Sequence, residues 1–414
     1  MARKRVAVTG VGLVNPFGSG GTDDFFERLL AGQSCIRHHV TADIPRPLSL
    51  PAVVCAGFDA GGLLGRPLAS TMDRFAQLGM AAAFAAWDHA GLPRDKAEKP
   101  AQGVAWGTAL GGTLAYERGY RDLWQNGRER VSPLSVVLGM NNAASNHIAI
   151  QLGLGNSCLS YTVACASAAA AIGEAYRRIR DGEAELMVAG GSDAPLAYGV
   201  VRAWEALRVL APGDAESSPA ACRPFHVKRA GLVLGEGGAA LILEDWDHAV
   251  ARGATILAEL AGYGATCDHA HLVRPEAAGQ VRALRLALAD AGLAPEEVDY
   301  VNAHGTATPE GDPTEIAALR TVFGDHAQRL AVSATKAGHG HLMGAAGAIE
   351  AVVTVLALAR DALPPTAHLD AIDPACAGVD HITGAARRGN RPRAALSNSF
   401  AFGGSNAVLA FRAA

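Results

Sequence analysis

The sequence predicts an α/β protein in which buried strands alternate with helices of small residues, with the pattern run through twice. Three observations carry this. Short β-rich runs alternate with Ala-rich helical runs along the chain, as when helices cover the faces of a sheet. Half of the residues are hydrophobic and only 18% are charged, so a large core can be filled and a disordered chain is excluded. Glycine is abundant, at 48 residues, while aromatic residues make up 6%; backbones must approach closely, and buried helices must be lined by small side chains. At about 150 residues per domain, a chain of 414 residues makes two or three compact units.

Residues 6–12 read as a buried strand, 23–31 as a helix and 72–90 as a long buried helix. Residues 103–108 form a strand that ends at Gly111-Gly112. Residues 133–152 read as one helix carrying Asn141, Asn142, Ser145 and Asn146 among apolar residues. A strand at 157–163, a helix at 166–180 and a strand at 185–190 follow. After about residue 250 the pattern restarts: strand 255–264, helix 279–291, strand 298–303, strand 331–333, helix 344–360 and strand 394–397. Two places look alike. Residues 157–180 are a strand, a turn bearing Cys165 and an Ala-rich helix; residues 330–360 are a strand, a turn bearing Lys336 and His341, and an Ala/Gly-rich helix. An internal duplication is expected, with halves 1–250 and 251–414 sharing one core.

Charge and cysteine usage exclude several classes. Lys plus Arg number 36 against 40 Asp plus Glu, a net charge of −4, with no basic stripe for a nucleic acid. A membrane span needs about 18 apolar residues; the best run, 351–359, is about half that. Arg3-Lys4-Arg5 before an apolar stretch imitates a secretion signal, but no small-residue cleavage site follows. The seven cysteines are odd in number and scattered, with no CxxC pair, so no disulfide framework or zinc site is expected, and the setting is a reducing cytoplasm.

Five constellations offer chemistry. Thr9-Gly10-Val11-Gly12 resembles the start of a dinucleotide fingerprint, but Asn15 stands where a third glycine is needed and Pro16 breaks the helix. A glycine turn after the strand is expected, and no nucleotide cofactor. Cys165, in Thr162-Val163-Ala164-Cys165-Ala166-Ser167, sits at a strand-to-helix turn, where the helix dipole favours thiolate, lowers the pKa and leaves N–H groups free for an oxyanion; the alternative is a core cysteine. His304, at a strand end before Gly305, faces a cleft, with Asp312 and Glu315 behind it; the alternative is a hydrogen-bonded loop histidine. Lys336, His339 and His341 lie in a Gly-rich turn before an apolar helix, costly to bury without purpose. A metal on His339 and His341 lacks a third ligand, so none is expected. Phe402, ahead of Gly403-Gly404, can swing at the end of a strand; the alternative is a tight turn.

Together these motifs resemble the decarboxylating, elongating β-ketoacyl-acyl carrier protein synthases. Five blocks match in order: the Cys165 turn; Arg223-Pro224-Phe225 with Gly235-Glu236-Gly237; residues 302–315; residues 335–347; and residues 398–406. The resemblance spans essentially the whole chain. It implies the thiolase fold, two duplicated βαβαβαββ halves in a five-layer αβαβα sandwich, usually dimeric. It implies that Cys165 takes an acyl chain from a carrier protein, and that His304 and His341 hold the malonyl thioester oxygen and stabilise the enolate formed when carbon dioxide leaves. It further implies that Lys336, paired with Glu315, sets the histidine states, that Phe402 gates Cys165 and donates its N–H to the oxyanion, that Leu110 lines the acyl pocket, and that Arg128, Arg130 and Arg208 meet an acidic carrier protein at the entrance. The partners it implies are acyl- and malonyl-loaded carrier protein and, in the dimer, an identical chain or a chain-length-factor homologue.

Departures from the family pattern are His226 for Asp, Ala230 and Leu232 for Asp and Phe, Ala166 for Thr or Ser, and Gly338-His339 for a less basic pair. They leave open a type II polyketide or polyene pathway beside fatty-acid synthesis. Three rivals each meet an objection. A silent chain-length factor lacks the nucleophile that Cys165 supplies. A thiolase needs a second cysteine near the C-terminus, and 398–406 has none. An initiating synthase has Asn where His341 stands.

Overall fold

The computed structural model describes residues 3–18, 20–41 and 46–414. In the first half the main strands are β1 (Val6–Leu13), β2 (Gln102–Gly107), β3 (Cys158–Tyr161), β4 (Leu186–Asp193) and β5 (Gly237–Asp245), side by side in the order β3-β2-β4-β5-β1. β2 is parallel to β3 and β4, and β5 is antiparallel to β4 and β1. In the second half they are β6 (Ala258–Cys267), β7 (Tyr300–Asn302), β8 (Ala331–Ser333), β9 (Asp380–His381), β10 (Ala394–Phe400) and β11 (Ser405–Ala413), in the order β9-β8-β7-β10-β11-β6. Edge strand β9 apart, this is the first order again, with β7 parallel to β8 and β10, and β11 antiparallel to β10 and β6. The repeat expected from two similar turns therefore extends to the whole topology. Two residue pairs, Ala7 with Glu259 and Val8 with Ala258, join β1 to β6 at the seam.

Seven helices define the layers: α1 (Thr22–Leu30), α2 (Arg74–His89), α3 (Ala143–Leu152), α4 (Ser167–Arg180), α5 (Ala277–Ala291), α6 (Gly311–Phe323) and α7 (Ala346–Ala359). α4 and α7 pack against each other and against strands of both sheets, α2 and α3 cover the first sheet, and α5, with α6 against it, covers the second. The result is the five-layer αβαβα sandwich. α7 is buried from Ala346 to Leu358 and carries only Glu350 and Thr354 as polar side chains; a helix apolar all round belongs in a core. Asp73 caps α2 by accepting from the Phe75 N–H, and left-handed Gly153 and Gly292 end α3 and α5.

Gly10 and Gly12 do not form the expected turn. They lie inside β1, where a Cβ would come within 2.3 Å of the Ala86 carbonyl oxygen and 2.2 Å of the Ala86 nitrogen in α2. Gly262 and Gly264 repeat the device in β6: a Cβ there would meet the carbonyl oxygens of Ala287 and Ala283 in α5 at 2.5 and 2.1 Å. In both halves the outer helix rests on bare strand backbone.

The single helix expected at 133–152 is broken. It ends at Gly139, Met140 is extended, and α3 starts at Ala143. Asn141 donates its side chain to Thr162 Oγ1, one of the local bonds with which asparagine competes against a continuous helix. Helices Thr113–Tyr120 and Tyr198–Leu207, helix α6 and strands β5 and β11 have no counterpart among the expected elements. Among the described residues no helix is long and apolar enough to cross a membrane.

Candidate active site

Cys165 stands at the start of α4, in the middle of the sandwich. Ala164 before it is left-handed, with φ 46°, a costly conformation for a residue with a Cβ. Ser167 holds it: the hydroxyl accepts from the Val163 N–H at 2.8 Å and donates to the Ala164 carbonyl at 2.7 Å. This turn carries the chain from β3 to the start of α4 and sets Cys165 between them.

The second half supplies the other groups. His304 follows β7; its N–H and that of Gly305 donate to the two oxygens of Glu315 in α6, each at 2.9 Å. Lys336 opens the short helix Lys336–His339 after β8, and His341 lies one turn further on. The Cys165 sulfur and one ring nitrogen each of His304 and His341 lie within 4.8 Å of one another, and the two imidazoles meet edge-on with centroids 5.5 Å apart. All three residues are buried.

The hydrogen bonds determine the imidazole tautomers. Lys336 Nζ lies 3.3 Å from His304 Nδ1, and the Met343 N–H donates to His341 Nδ1 at 3.2 Å. Both Nδ1 atoms are acceptors, so both rings carry their proton on Nε2. His341 Nε2 has no hydrogen-bond partner in the protein. Burial first, and the Lys336 charge second, hold both imidazoles well below the ordinary histidine pKa. Two neutral N–H donors therefore converge beside a thiol, an arrangement that stabilises an oxygen acquiring negative charge.

Three expectations need correction. Cys165 is not a low-pKa thiol at rest: burial pushes it up to about 11, against the pull of Lys336 and of hydrogen bonds from the N–H groups of Phe402 and Cys165 itself. Desolvation here outweighs the helix start. Lys336 is not paired with Glu315. Its ion pair is with Glu350 of α7, both side chains fully buried, and it donates to the His304 carbonyl at 2.6 Å. Glu315 instead clamps the His304-Gly305 backbone and accepts from Asn398 Nδ2 at 3.0 Å. Glu350 was missed; its signal was one acid in an otherwise apolar helix. The third correction concerns the entrance, where a cavity of about 340 Å³ opens over Cys165, His304 and His341 and is lined by Arg208, Leu272 and Phe402. Leu110, Arg128 and Arg130 are not in its lining. The Leu110 N–H bonds Asp193, and Arg128 pairs with Asp122 at 3.3 Å on an exposed segment shared with Arg130. The sequence order that matched Arg128 and Arg130 to the entrance does not bring them into the cavity lining with Arg208 in one chain.

Phe402 stacks on Trp204, centroids 5.7 Å apart, ahead of left-handed Gly403 and Gly404. His339 is buried outside the cluster, bonded to Gly340 O and Thr335 Oγ1. His226 is held by Asp370 at 2.6 Å. Cys165, His304 and His341 are the atoms among the described residues grouped closely enough to hold a metal, but the Lys336 ammonium beside His304 works against a dication there.

Comparison with known proteins shows the family. The Beta-ketoacyl synthase, N-terminal domain model matches residues 3–249, and the Beta-ketoacyl synthase, C-terminal domain model matches residues 257–370. Nodulation protein E of Rhizobium sp. (strain N33) is 41% identical over 413 residues, 99% of each chain. The 3-oxoacyl-[acyl-carrier-protein] synthase 2 of Coxiella burnetii is 38% identical over 417 residues, covering 99% of this chain and 98% of the relative. Among solved structures, a β-ketoacyl synthase from Burkholderia phymatum superposes with a TM-score of 0.91 at 36% identity, covering 99% of this chain and 100% of the other. The ishigamide ketosynthase/chain length factor gives 0.90 at 33%, and a type II PKS acyl-carrier protein in complex with its ketosynthase gives 0.87 at 29%; in both, all of each chain is covered.

Proposed function

This chain belongs to the β-ketoacyl synthase family and is a condensing acyltransferase, and on that premise we propose how its own residues divide the reaction. The observation that carries the proposal is the meeting of one thiol with two Nε2–H imidazoles within 4.8 Å.

The Cys165 sulfur attacks the thioester carbonyl of an acyl carrier protein, and the thiol proton passes to the carrier sulfur that leaves. The carbonyl oxygen takes the charge between the N–H groups of Cys165 and Phe402. The intermediate collapses, the carrier thiolate leaves with that proton, and the acyl chain remains on sulfur. A malonyl thioester then places its carbonyl oxygen between His304 Nε2 and His341 Nε2. The bond to the carboxylate breaks, carbon dioxide leaves, and the electron pair passes to that oxygen as an enolate. The enolate carbon attacks the Cys165-bound carbonyl. Collapse expels the Cys165 thiolate and releases a 3-oxoacyl thioester on the carrier. Burial, with the Lys336 charge second, keeps both imidazoles neutral, so neither proton is surrendered during the enolate step. Phe402 moves aside from Trp204 to admit the chain, with Leu110 placed on the acyl side.

The carrier protein docks at the mouth beside Arg208, with Arg128 and Arg130 contributing from a second subunit. The relative named for an acyl carrier protein and the ketosynthase solved with one support this. A second copy is the proposed dimer partner. Strand β3 ends its sheet, and Leu159, Ile150 and Val136 are exposed at 41%, 62% and 65% around it, apolar surface of the kind that marks an interface. The same reading divides the chain into halves 1–250 and 251–414, supported by the repeated strand order, and places it in the cytoplasm, supported by seven free cysteines.

Intact-mass measurement after incubation with a panel of acyl-carrier thioesters, alone and with a malonyl carrier, tests this reading. Acylation of Cys165 alone, discharged as 3-oxoacyl carrier with one carbon dioxide per turnover, is expected. Label on Cys158 or Cys222 with Cys165 unmodified refutes it.

A further inference from the structure

Asp193 ends β4, is fully buried, and has no ion pair among the described residues. Burial pushes its carboxyl up to about 6, yet four hydrogen bonds hold it. Oδ1 accepts from Thr108 Oγ1 at 2.7 Å and from the Leu110 N–H at 3.2 Å; Oδ2 accepts from the Ala109 N–H at 2.8 Å and from the Gly344 N–H at 2.6 Å. Three donors belong to the turn after β2. The fourth belongs to the turn after His341.

That second turn is strained. Met343 is left-handed, with φ 51°, and its N–H is the donor to His341 Nδ1. A non-glycine residue in this region persists only when its surroundings over-determine it. Here the bonds on either side do so, Met343 N–H to the imidazole and Gly344 N–H to Asp193. Gly344 has no room for a side chain: a Cβ would lie 2.5 Å from Asp193 Oδ2 and 2.3 Å from the Ala109 nitrogen. A continuous path therefore runs from the 108–110 turn through Asp193, Gly344 and Met343 to His341.

We propose that Asp193 is a positioning residue of the condensing site, latching the 108–110 turn to the turn that carries His341 and so fixing that imidazole against Cys165. This rests on the enolate-holding role given to His341 above. An ionised acceptor suits the task, because one carboxylate serves four donors where an amide oxygen serves two. The same charge lies close enough to Cys165 to oppose thiolate formation, so its removal has a signature that loss of packing alone does not.

The test uses the full chain with Asp193→Asn and, separately, Gly344→Ala, which wedges the latch apart while keeping the charge. Carbon dioxide release from malonyl-coenzyme A and the pH profile of Cys165 alkylation by iodoacetamide are measured. Both variants are expected to lower kcat for decarboxylation about tenfold or more with KM within about twofold, since a misplaced group costs rate rather than binding. Asp193→Asn alone should move the alkylation profile to lower pH. Thr108→Val, which keeps the volume but removes one donor to Asp193 and the acceptor of the Gly111 N–H, gives a smaller loss and covers the case in which Asp193→Asn does not fold. Wild-type carbon dioxide release in Asp193→Asn, or equal loss of every rate with an unmoved profile, overturns the proposal. A wild-type protein that releases no carbon dioxide overturns the role of His341 instead.

Discussion

Lys336 Nζ lies 2.6 Å from the carbonyl oxygen of His304 and 3.3 Å from its Nδ1, so one buried cation fixes both the backbone and the tautomer of the same histidine. Lys336→Met should release that control. Both imidazole pKa values should rise, because Lys336 lowers them, and the Cys165 pKa should rise as well. Imidazole NMR titration and the pH profile of Cys165 alkylation measure the two shifts. The variant also strands Glu350 without its cation, at a cost of about 3–5 kcal/mol. Adding Glu350→Gln should restore much of that stability without restoring the imidazole states. Unmoved titrations in Lys336→Met would remove the electrostatic role.

Cys165→Ala should abolish condensation and keep malonyl decarboxylation, because the two Nε2–H donors come from the other half of the chain. Carbon dioxide release measured alongside 3-oxoacyl formation separates the two. Loss of both activities in a folded variant would contradict the division of labour.

His304→Ala and His341→Ala should each cut decarboxylation by roughly 100- to 1000-fold, the usual loss for one oxyanion donor. Acyl loading of Cys165 should suffer far less in either variant, since its oxyanion is held by the Cys165 and Phe402 N–H groups. A burst of acyl-enzyme at near wild-type rate is the expected result.

His339 gives a stability prediction. Burial holds its pKa down to about 3 in the folded protein, whereas the unfolded chain protonates it near 6.5. Between those values the unfolded state binds one more proton, so stability falls as pH falls, by about 1.4 kcal/mol per pH unit from this residue. His339→Asn should flatten the dependence of unfolding free energy on pH below 6.5 by that slope, in denaturant melts at a series of pH values. A parallel pair of curves would show that His339 is not buried neutral.

Arg208→Glu should raise the KM for acyl-carrier substrate, leave a small acyl thioester nearly unaffected, and lose its effect at high salt. Arg208 sits in the mouth of the cavity. The same change at Arg128 or Arg130 should matter only in the dimer, because neither residue lines the mouth in one chain. Equal kinetics with both substrates in Arg208→Glu would move docking elsewhere.

The legible parts of this protein were those written in local sequence. Cys165, His304, Lys336 and His341 each stood in a short motif, and strands such as β1 and helices such as α4 showed their period in a dozen residues. The partner of Lys336 was not legible. Glu315 is 21 residues away in sequence and Glu350 only 14, but the choice between them depends on how α7 crosses the end of β7, which no local pattern encodes. Asp193 was hidden for the same reason, since its donors come from residues 108–110 and from 344. Gly10 and Gly12 misled because glycine marks a turn and a close helix approach equally well, and only the position of Ala86 distinguishes them. The thiol pKa was misread because the helix start is local and visible, while burial is a property of the whole sandwich.

The seam between the sheets is only two residue pairs long, yet the thiol stands on one side of it and both imidazoles on the other. Covalent continuity across residues 251–257 therefore contributes little to the chemistry once α4 and α7 have interlocked. A protease nick at Gly253, which is exposed in that stretch, should leave a two-fragment enzyme that still turns over, and its activity on dilution would report how tightly the fragments hold each other.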